Sequence, residues 1–333
     1  MSPGDNRSQE VTEFVLLGFP GSHGLHLGLL LLFLLAYVLT ISENVVIVAL
    51  VWASPALHKP MYLFLSHLSF LEAWYVSVTE PKMLLGLAAA RFRRISFRGC
   101  MAQLYFFLAL ACTECALLAV MAFDRYVAIC SPLRYPAVMG PRLCRLLAAG
   151  CWLSGFGISL GKVFFIARLG YCGPNALNHF FCDVSPLLNV ACSDMWAAEL
   201  VDFLLALLIL LGPLLLTGGS YAAIVAAVLR IRSAAGRHKA FSTCAAHLAV
   251  VLVFYSASLF IYARPRAIGA FDSNKLVSVV YTVLTPLLNP VIYCLRNREV
   301  KEALRQVLRR AHALPHAGRP ARLSVAPRQG PHP

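Results

Sequence analysis

Residues 99–130 read GCMAQLYFFLALACTECALLAVMAFDRYVAIC. Between Met101 and Ala122 the only charged residue type is Glu114. About 20 such residues in a helix cross the roughly 30 Å of hydrocarbon in a bilayer. In lipid only helices or closed barrels satisfy their backbone, and this run lacks the ten-residue alternation of a barrel strand. It ends on Asp124-Arg125, a pair too costly to leave in hydrocarbon without partners. The stretch is therefore a membrane-crossing helix with a charged end.

Six further apolar runs flank it, at roughly 26–53, 61–87, 143–166, 198–230, 240–263 and 274–295. The chain has 333 residues, 59% apolar and only 13% charged. A soluble domain carries about 25% charged residues, so a cytosolic globular protein is excluded. Disorder, which needs low hydrophobicity and high charge, is excluded too. Eleven cysteines over this length are too few for a disulfide-built scaffold. The expected fold is an all-α membrane protein, a bundle of seven transmembrane helices.

Lysine and arginine positions orient the bundle. With the N-terminus outside, 18 of the 29 basic residues face inward, leaving +15 on the inner side, +2 on the outer and three carboxylates, Glu43, Glu72 and Glu114, within the spans. Arg91, Arg93, Arg94 and Arg98, between spans two and three, dissent. The overall +14 thus reflects topology, and no nucleic-acid partner is needed. Residues 1–24 are polar, with no short apolar core before a cleavage site, so the first span is expected to carry the N-terminus across. The expected division is an extracellular segment 1–25, a bundle 26–295, an amphipathic membrane-surface helix 296–310 and a disordered cytoplasmic tail 311–333. Odd span number and the absence of an internal repeat fit poorly with a transporter built from paired halves.

Taken alone, Asp124-Arg125-Tyr126 is equally a helix-end charge pair, and Asn289-Pro290 in span seven an ordinary kink. Together, at the inner ends of spans three and seven, the runs MAFDRYVAIC and Pro286-Leu287-Leu288-Asn289-Pro290-Val291-Ile292-Tyr293 resemble rhodopsin-like G-protein-coupled receptors. Lys59-Pro60-Met61-Tyr62-Leu63-Phe64-Leu65, Ser131-Pro132-Leu133-Arg134-Tyr135, Ser220-Tyr221 and Lys239-Ala240-Phe241-Ser242-Thr243-Cys244 narrow the resemblance to the olfactory receptor family, from about Thr12 to Leu308. The chain departs from that pattern at Glu43 (usually Gly), Glu72 (usually Asp), Ala245-Ala246 and Ser256.

The resemblance implies a receptor for small, mostly hydrophobic odorants that couples to a stimulatory G protein and raises cyclic AMP from the plasma membrane. Its ligand set would be Phe107, Leu108, Ala111 and Cys112; Leu205, Ala206 and Ile209; and Tyr255, Ser258, Leu259 and Tyr262. The same residues are what a packed bundle core contains. Asp124, Arg125, Tyr126, Tyr221, Asn289, Pro290 and Tyr293 would form the switch that admits the G protein.

Four cysteines face the oxidising outer side, Cys100, Cys172, Cys182 and Cys192, and they allow three pairings. The family selects Cys100–Cys182 and Cys172–Cys192. Three of these with His179 lack the close ligand pair of a metal site. Asn6-Arg7-Ser8 is a glycosylation sequon on the outer side. Glu43, Glu72 and Glu114 lie at membrane depth, each expected to be protonated or paired. A protonated structural pair and a resting-state sodium ion, as the family suggests, stand as alternatives for Glu72 and Glu114. No other cofactor is implied. Arg264 and Arg266 at the outer rim are either anchors or attractants for acidic ligands. Remaining rivals are a receptor for a lipid or peptide, a channel or transporter and, more remotely, an enzyme, for which His247 has no nucleophile or metal partner among its sequence neighbours.

Overall fold

A computed structural model describes residues 11–172, 174–262, 271–295 and 298–313. The helices are α1 (His23–Ala53), α2 (Pro60–Ala88), α3 (Phe97–Cys130), α4 (Pro141–Ala167), α5 (Trp196–Leu229) and α6 (Ala234–Tyr262). The seventh, α7, joins Phe271–Val279, a π-helical turn Val280–Leu284 and Thr285–Leu295; α8 (Arg298–Ala313) follows. By length and composition, five stretches among the described residues can cross a membrane, in α1, α3, α4, α5 and α7. The second helix carries Glu72, Glu80 and Lys82 and is more polar, because it runs through the middle of the bundle with both glutamates buried.

Local chemistry sets the helix ends. Ser22 and Ser96 accept hydrogen bonds from the amides of Leu25 and Gly99, at 3.4 and 3.1 Å, which fixes the starts of α1 and α3. Pro60 and Pro141 open α2 and α4, where a missing N–H costs nothing. Lipid-facing positions stay apolar and exposed, such as Leu31, Leu35, Leu153, Leu208 and Leu215. The third helix is the buried mast, touching α2, α4, α5 and α6. It meets α4 closely because Gly155 has no side chain. A Cβ there would lie 2.1 Å from Thr113 Oγ1 and 2.7 Å from the Ala109 carbonyl. One turn outward, the Ser159 hydroxyl donates to the Tyr105 carbonyl at 2.7 Å.

A small sheet caps the outer end, which the sequence reading does not anticipate. Strand β1 (Glu13–Leu16) runs antiparallel to β2 (Arg94–Ser96) and parallel to β3 (Ala176–Leu177). Phe14 at its centre is fully buried and packs edge-on to Tyr171. One dissenting basic residue is absorbed here, as Arg94 pairs with Glu13 at 2.8 Å. The disulfides are Cys100–Cys182 and Cys172–Cys192, with Cα separations of 5.5 and 5.8 Å. The first ties the long outer loop to the top of α3.

At the inner end, α8 folds back on α1 and the turn before α2 through Val300 and Ala303 against Ile47, Leu50 and Leu57. Lys59 and Tyr62 donate to the Glu299 carboxylate at 2.7 and 2.9 Å, and these bonds hold it below its usual pKa. Asn6 lies outside the described residues, as do Arg264 and Arg266.

Candidate functional site

The outer half of the bundle holds the expected ligand set. Phe107, Leu108, Cys112 and Tyr255 are buried, while Ala111, Leu205, Ala206 and Ile209 are half-buried. The side chains of Ser258, Leu259 and Tyr262 lie outside the described residues. The thiol of Cys115 joins three helices, donating to the Ile209 carbonyl on α5 at 3.2 Å and lying 3.5 Å from the Tyr255 hydroxyl on α6. Phe107 looks the other way. Its ring meets Phe181 of the outer loop at 4.8 Å, Tyr75 of α2 at 5.5 Å and Tyr281 of α7 at 6.1 Å. Tyr281 stands on the π-helical turn, a distortion that re-aims side chains and recurs at functional positions.

The long loop closes this half from above. The side-chain Oε1 of Gln103 on α3 accepts from the Cys182 amide at 3.0 Å, beside the disulfide. His179 is buried against Phe180 and Phe181, with its Nε2 3.1 Å from the Ser278 hydroxyl on α7. Burial, with Lys275 nearby, lowers its pKa to about 3. The folded loop thus keeps His179 neutral, whereas an opened loop takes up a proton near pH 6.5. Stability is full above that value and falls as pH drops below it. Acidifying the outside from pH 7 to 5 should cost the folded loop about 2 kcal/mol through His179, offset in part by the buried Asp183 carboxyl, which burial raises to about 6 and which takes up its proton in the folded loop. The protection of residues 176–190 against hydrogen exchange, each rate taken relative to its intrinsic rate at that pH, should then fall roughly 30-fold further in the wild type than in His179→Phe. A wild type and a His179→Phe variant whose protection changes equally between pH 7 and 5 would refute this account.

Sequence reading misses one polar feature in this region. Lys162 on α4 is buried and pairs with Asp202 on α5 at 2.8 Å. Cys112 and, in the loop, Asp183 lie within electrostatic range of both. Part of the signal was available, since a lysine inside span four and an aspartate inside span five each need a partner in lipid, though order along the chain does not say which partner.

At mid-bundle, the Asn289 side-chain amide on α7 donates to Glu72 on α2. Asn44 of α1 also reaches Glu72, and Glu114 of α3 is close enough to interact with it electrostatically. Glu72 and Glu114 are both buried, and Glu114 Oε1 has no hydrogen-bond partner among the described residues. Two carboxyl groups, with the partnerless Glu114 Oε1 and Asn44 Oδ1 nearby, form a hard oxygen set that fits a small monovalent cation. No cluster of three or more His, Cys, Asp or Glu suited to a metal occurs among the described residues. Glu43 lies on α1, partly exposed towards lipid, and nothing in the structure explains it.

The inner end carries the charged motif. Arg125 binds Asp124 Oδ2 through Nη2 at 2.6 Å and Nε at 3.2 Å. The other carboxylate oxygen accepts from the Tyr135 hydroxyl of the second inner loop at 2.7 Å. Asp124 is 1% exposed and Arg125 13%. Tyr221 lies within electrostatic range of Arg125, and its hydroxyl is 2.6 Å from Nδ1 of His247 on α6. His247 thus gains a tyrosine partner from a distant helix, which its sequence neighbours do not reveal. Tyr126 packs below, near Phe123 and the Tyr221–Cys244 cluster. Pro290 lies within the last segment of α7; the Tyr293 side chain is outside the described residues.

Comparison with known proteins agrees with this geometry. The family model "Olfactory receptor" matches residues 33–311. Olfactory receptor 226 of Rattus norvegicus is 64% identical over 306 residues, spanning 91% of this chain and 94% of that protein. Olfactory receptor 6A2 of Homo sapiens is 63% identical over 302 residues, spanning 90% and 92%. In three dimensions the chain superposes on squid rhodopsin with a TM-score of 0.65, at 16% identity, over 90% of this chain and 92% of the other. The shared architecture is the seven-helix receptor fold, and the chain is a multi-pass membrane protein of the olfactory receptor family, a family of signalling receptors and not of enzymes.

Proposed function

We propose that the protein sits in the plasma membrane, binds small hydrophobic odorants in the outer half of its bundle and activates a stimulatory G protein that raises cyclic AMP. The observation that carries the reading is the pairing of two halves on α3. Above Glu114, the region of Leu108, Cys112, Ile209 and Tyr255 is apolar with thiol and hydroxyl groups among the described residues, and the Lys162–Asp202 pair lies beside it. Below, Arg125 is held by Asp124. A mostly apolar enclosure with a few placed polar groups suits a small ligand oriented by one or two hydrogen bonds. No acid occupies the Phe107 position, so a biogenic amine would find no counter-ion there.

Agonist contacts favour one of two helix arrangements. In the active one, α6 moves outward, the Tyr221–His247 contact breaks, and Arg125, Tyr221 and Tyr293 line a cavity for the G protein. Arg230, Arg232, Arg237 and Lys239 suit an acidic partner surface, and α8 with its basic side chains suits the anionic inner leaflet. Residues 1–25 then face outside, with Asn6 open to glycosylation, 26–295 form the bundle, 296–310 the surface helix and 311–333 an inner tail.

The test is cyclic AMP in cells that express the chain with a stimulatory G protein. A panel of volatile aldehydes, alcohols, acids and esters is applied, with surface staining in the same wells. A dose-dependent rise is expected from at least one class. Silence across a wide panel despite full surface staining would overturn the odorant reading in favour of a lipid or peptide ligand.

Glu72 and Glu114 would hold sodium in the resting state, with Asn289 and Asn44 orienting Glu72. Replacing external and internal sodium by N-methylglucamine should then raise resting cyclic AMP in the wild type and leave Glu114→Gln unmoved. Equal responses in the two proteins would leave only a protonated structural pair.

A further inference from the structure

Arg91-Phe92-Arg93-Arg94-Ile95-Ser96-Phe97-Arg98 joins spans two and three on the outer side, with Lys82 shortly before it. Basic residues in a short outer loop oppose the orientation that the rest of the chain dictates, so their presence needs a reason. No aspartate or glutamate occurs from residue 81 to residue 113 to offset them.

The fold accounts for three of the five. Lys82 Nζ donates to the Arg94 carbonyl at 2.5 Å, Arg93 Nε donates to the Gly86 carbonyl at 3.1 Å, and Arg94 pairs with Glu13. Only the last contact cancels a charge. Arg91 lies over the Phe92 ring at 4.8 Å, and Arg98 stands in the first turn of α3. Both are exposed, and neither has an acidic partner among the described residues. Other outer acids are engaged elsewhere: Asp183 and Asp194 accept from the Val184 and Trp196 amides, Asp202 holds Lys162, and Glu80 is buried. Five cations less the Glu13 carboxylate leave +4 where the end of α2, the turn Ala90–Arg93, the edge strand β2 and the start of α3 come together.

We propose that this patch is a docking surface for a sulfated polysaccharide of the cell exterior. The inference rests on the orientation proposed above, with residues 1–25 outside. Short runs dense in Lys and Arg are the pattern of heparin-binding patches, because a surface field of one sign attracts a chain of the other. Location separates the candidate polyanions. Anionic phospholipids belong to the inner leaflet. A zwitterionic headgroup of the outer leaflet brings its own cation with its phosphate, so it leaves the excess charge in place. A sulfated chain brings successive anions without cations and can follow the three exposed arginines, Arg91, Arg94 and Arg98. Because β2 pairs with β1, such an occupant lies against the cap over the outer end of the bundle.

The experiment uses intact cells that lack their own sulfated polysaccharides and express the full chain with an N-terminal epitope tag. Staining without permeabilisation counts surface receptors and tests the orientation separately. A tag reached only after permeabilisation would overturn the orientation, and the proposal with it. Fluorescent heparin decasaccharide is added outside, where the basic inner face cannot meet it. Saturable binding in proportion to the tag is expected, weakening as salt is raised and absent with the desulfated, N-acetylated decasaccharide. An exposed ion pair is worth up to about fivefold in affinity, so Arg91→Gln combined with Arg98→Gln should weaken binding roughly tenfold. Neither side chain has a hydrogen bond or ion pair among the described residues, so the double variant should reach the surface, and each single variant is read beside it. The proposal falls if stained receptors bind no heparin, the result expected where phospholipid headgroups already satisfy the patch. It falls equally if the desulfated chain binds as well, or if the variants bind like wild type. None of these readouts depends on odorant signalling.

Discussion

Arg125→Ala should abolish odorant-evoked cyclic AMP while leaving the receptor at the cell surface. The guanidinium makes two short contacts to Asp124 and is only 13% exposed, yet it lies at the inner end of α3, where little packing depends on it. Its loss removes no large apolar group, so folding is expected to survive. What disappears is the cation that the active arrangement turns towards Tyr221 and the G protein.

Asp124→Asn should do the opposite and raise ligand-independent signalling. Each charge-assisted hydrogen bond contributes about 1.5–3 kcal/mol to the resting state, so losing it raises a minor active population roughly tenfold or more. Tyr135→Phe, which removes only the bond to the other carboxylate oxygen, should give a smaller rise. Cyclic AMP per surface receptor, with and without odorant, measures all three. Normal signalling by Arg125→Ala would place the switch elsewhere.

The second large effect concerns Lys162. Replacing it by Met leaves Asp202 with an uncompensated charge between α4 and α5. Removing one partner of a buried pair costs about 3–5 kcal/mol. Surface expression should collapse, and the melting temperature of purified receptor should fall. Replacing both partners, Lys162→Met with Asp202→Leu, should restore stability to within about 1 kcal/mol of wild type or exceed it, because well-packed apolar groups often equal a buried pair. The strong non-additivity is the signature. A harmless single substitution, or a double variant as poor as the sum of the singles, would show that the pair does not join the helices.

These two cases mark how far the linear sequence reaches. Seven apolar runs, the inward bias of basic residues and the motifs around Asp124 and Asn289 are local properties. In a bilayer, local properties suffice for the architecture, because a run of about 20 apolar residues has no alternative to a spanning helix. Asp124 and Arg125 are chain neighbours, so their contact was legible too. The two disulfides became legible only through family resemblance, since spacing left three pairings open.

Contacts between helices were not legible, because no periodicity states which turn of one helix faces which turn of another. Tertiary structure alone decided that Tyr221 meets His247, 26 residues away, and that Lys162 meets Asp202. It also placed Phe107 against the outer loop and Tyr281, and set Glu13–Leu16 as the middle strand of a cap that a polar N-terminal segment does not announce. The sequence by itself determined which segments enter the membrane and which way they run, because hydration free energy is counted residue by residue. Packing determined where the buried polar groups find partners, because a hydrogen bond needs two atoms within about 3 Å, a condition on three-dimensional position and not on order along the chain.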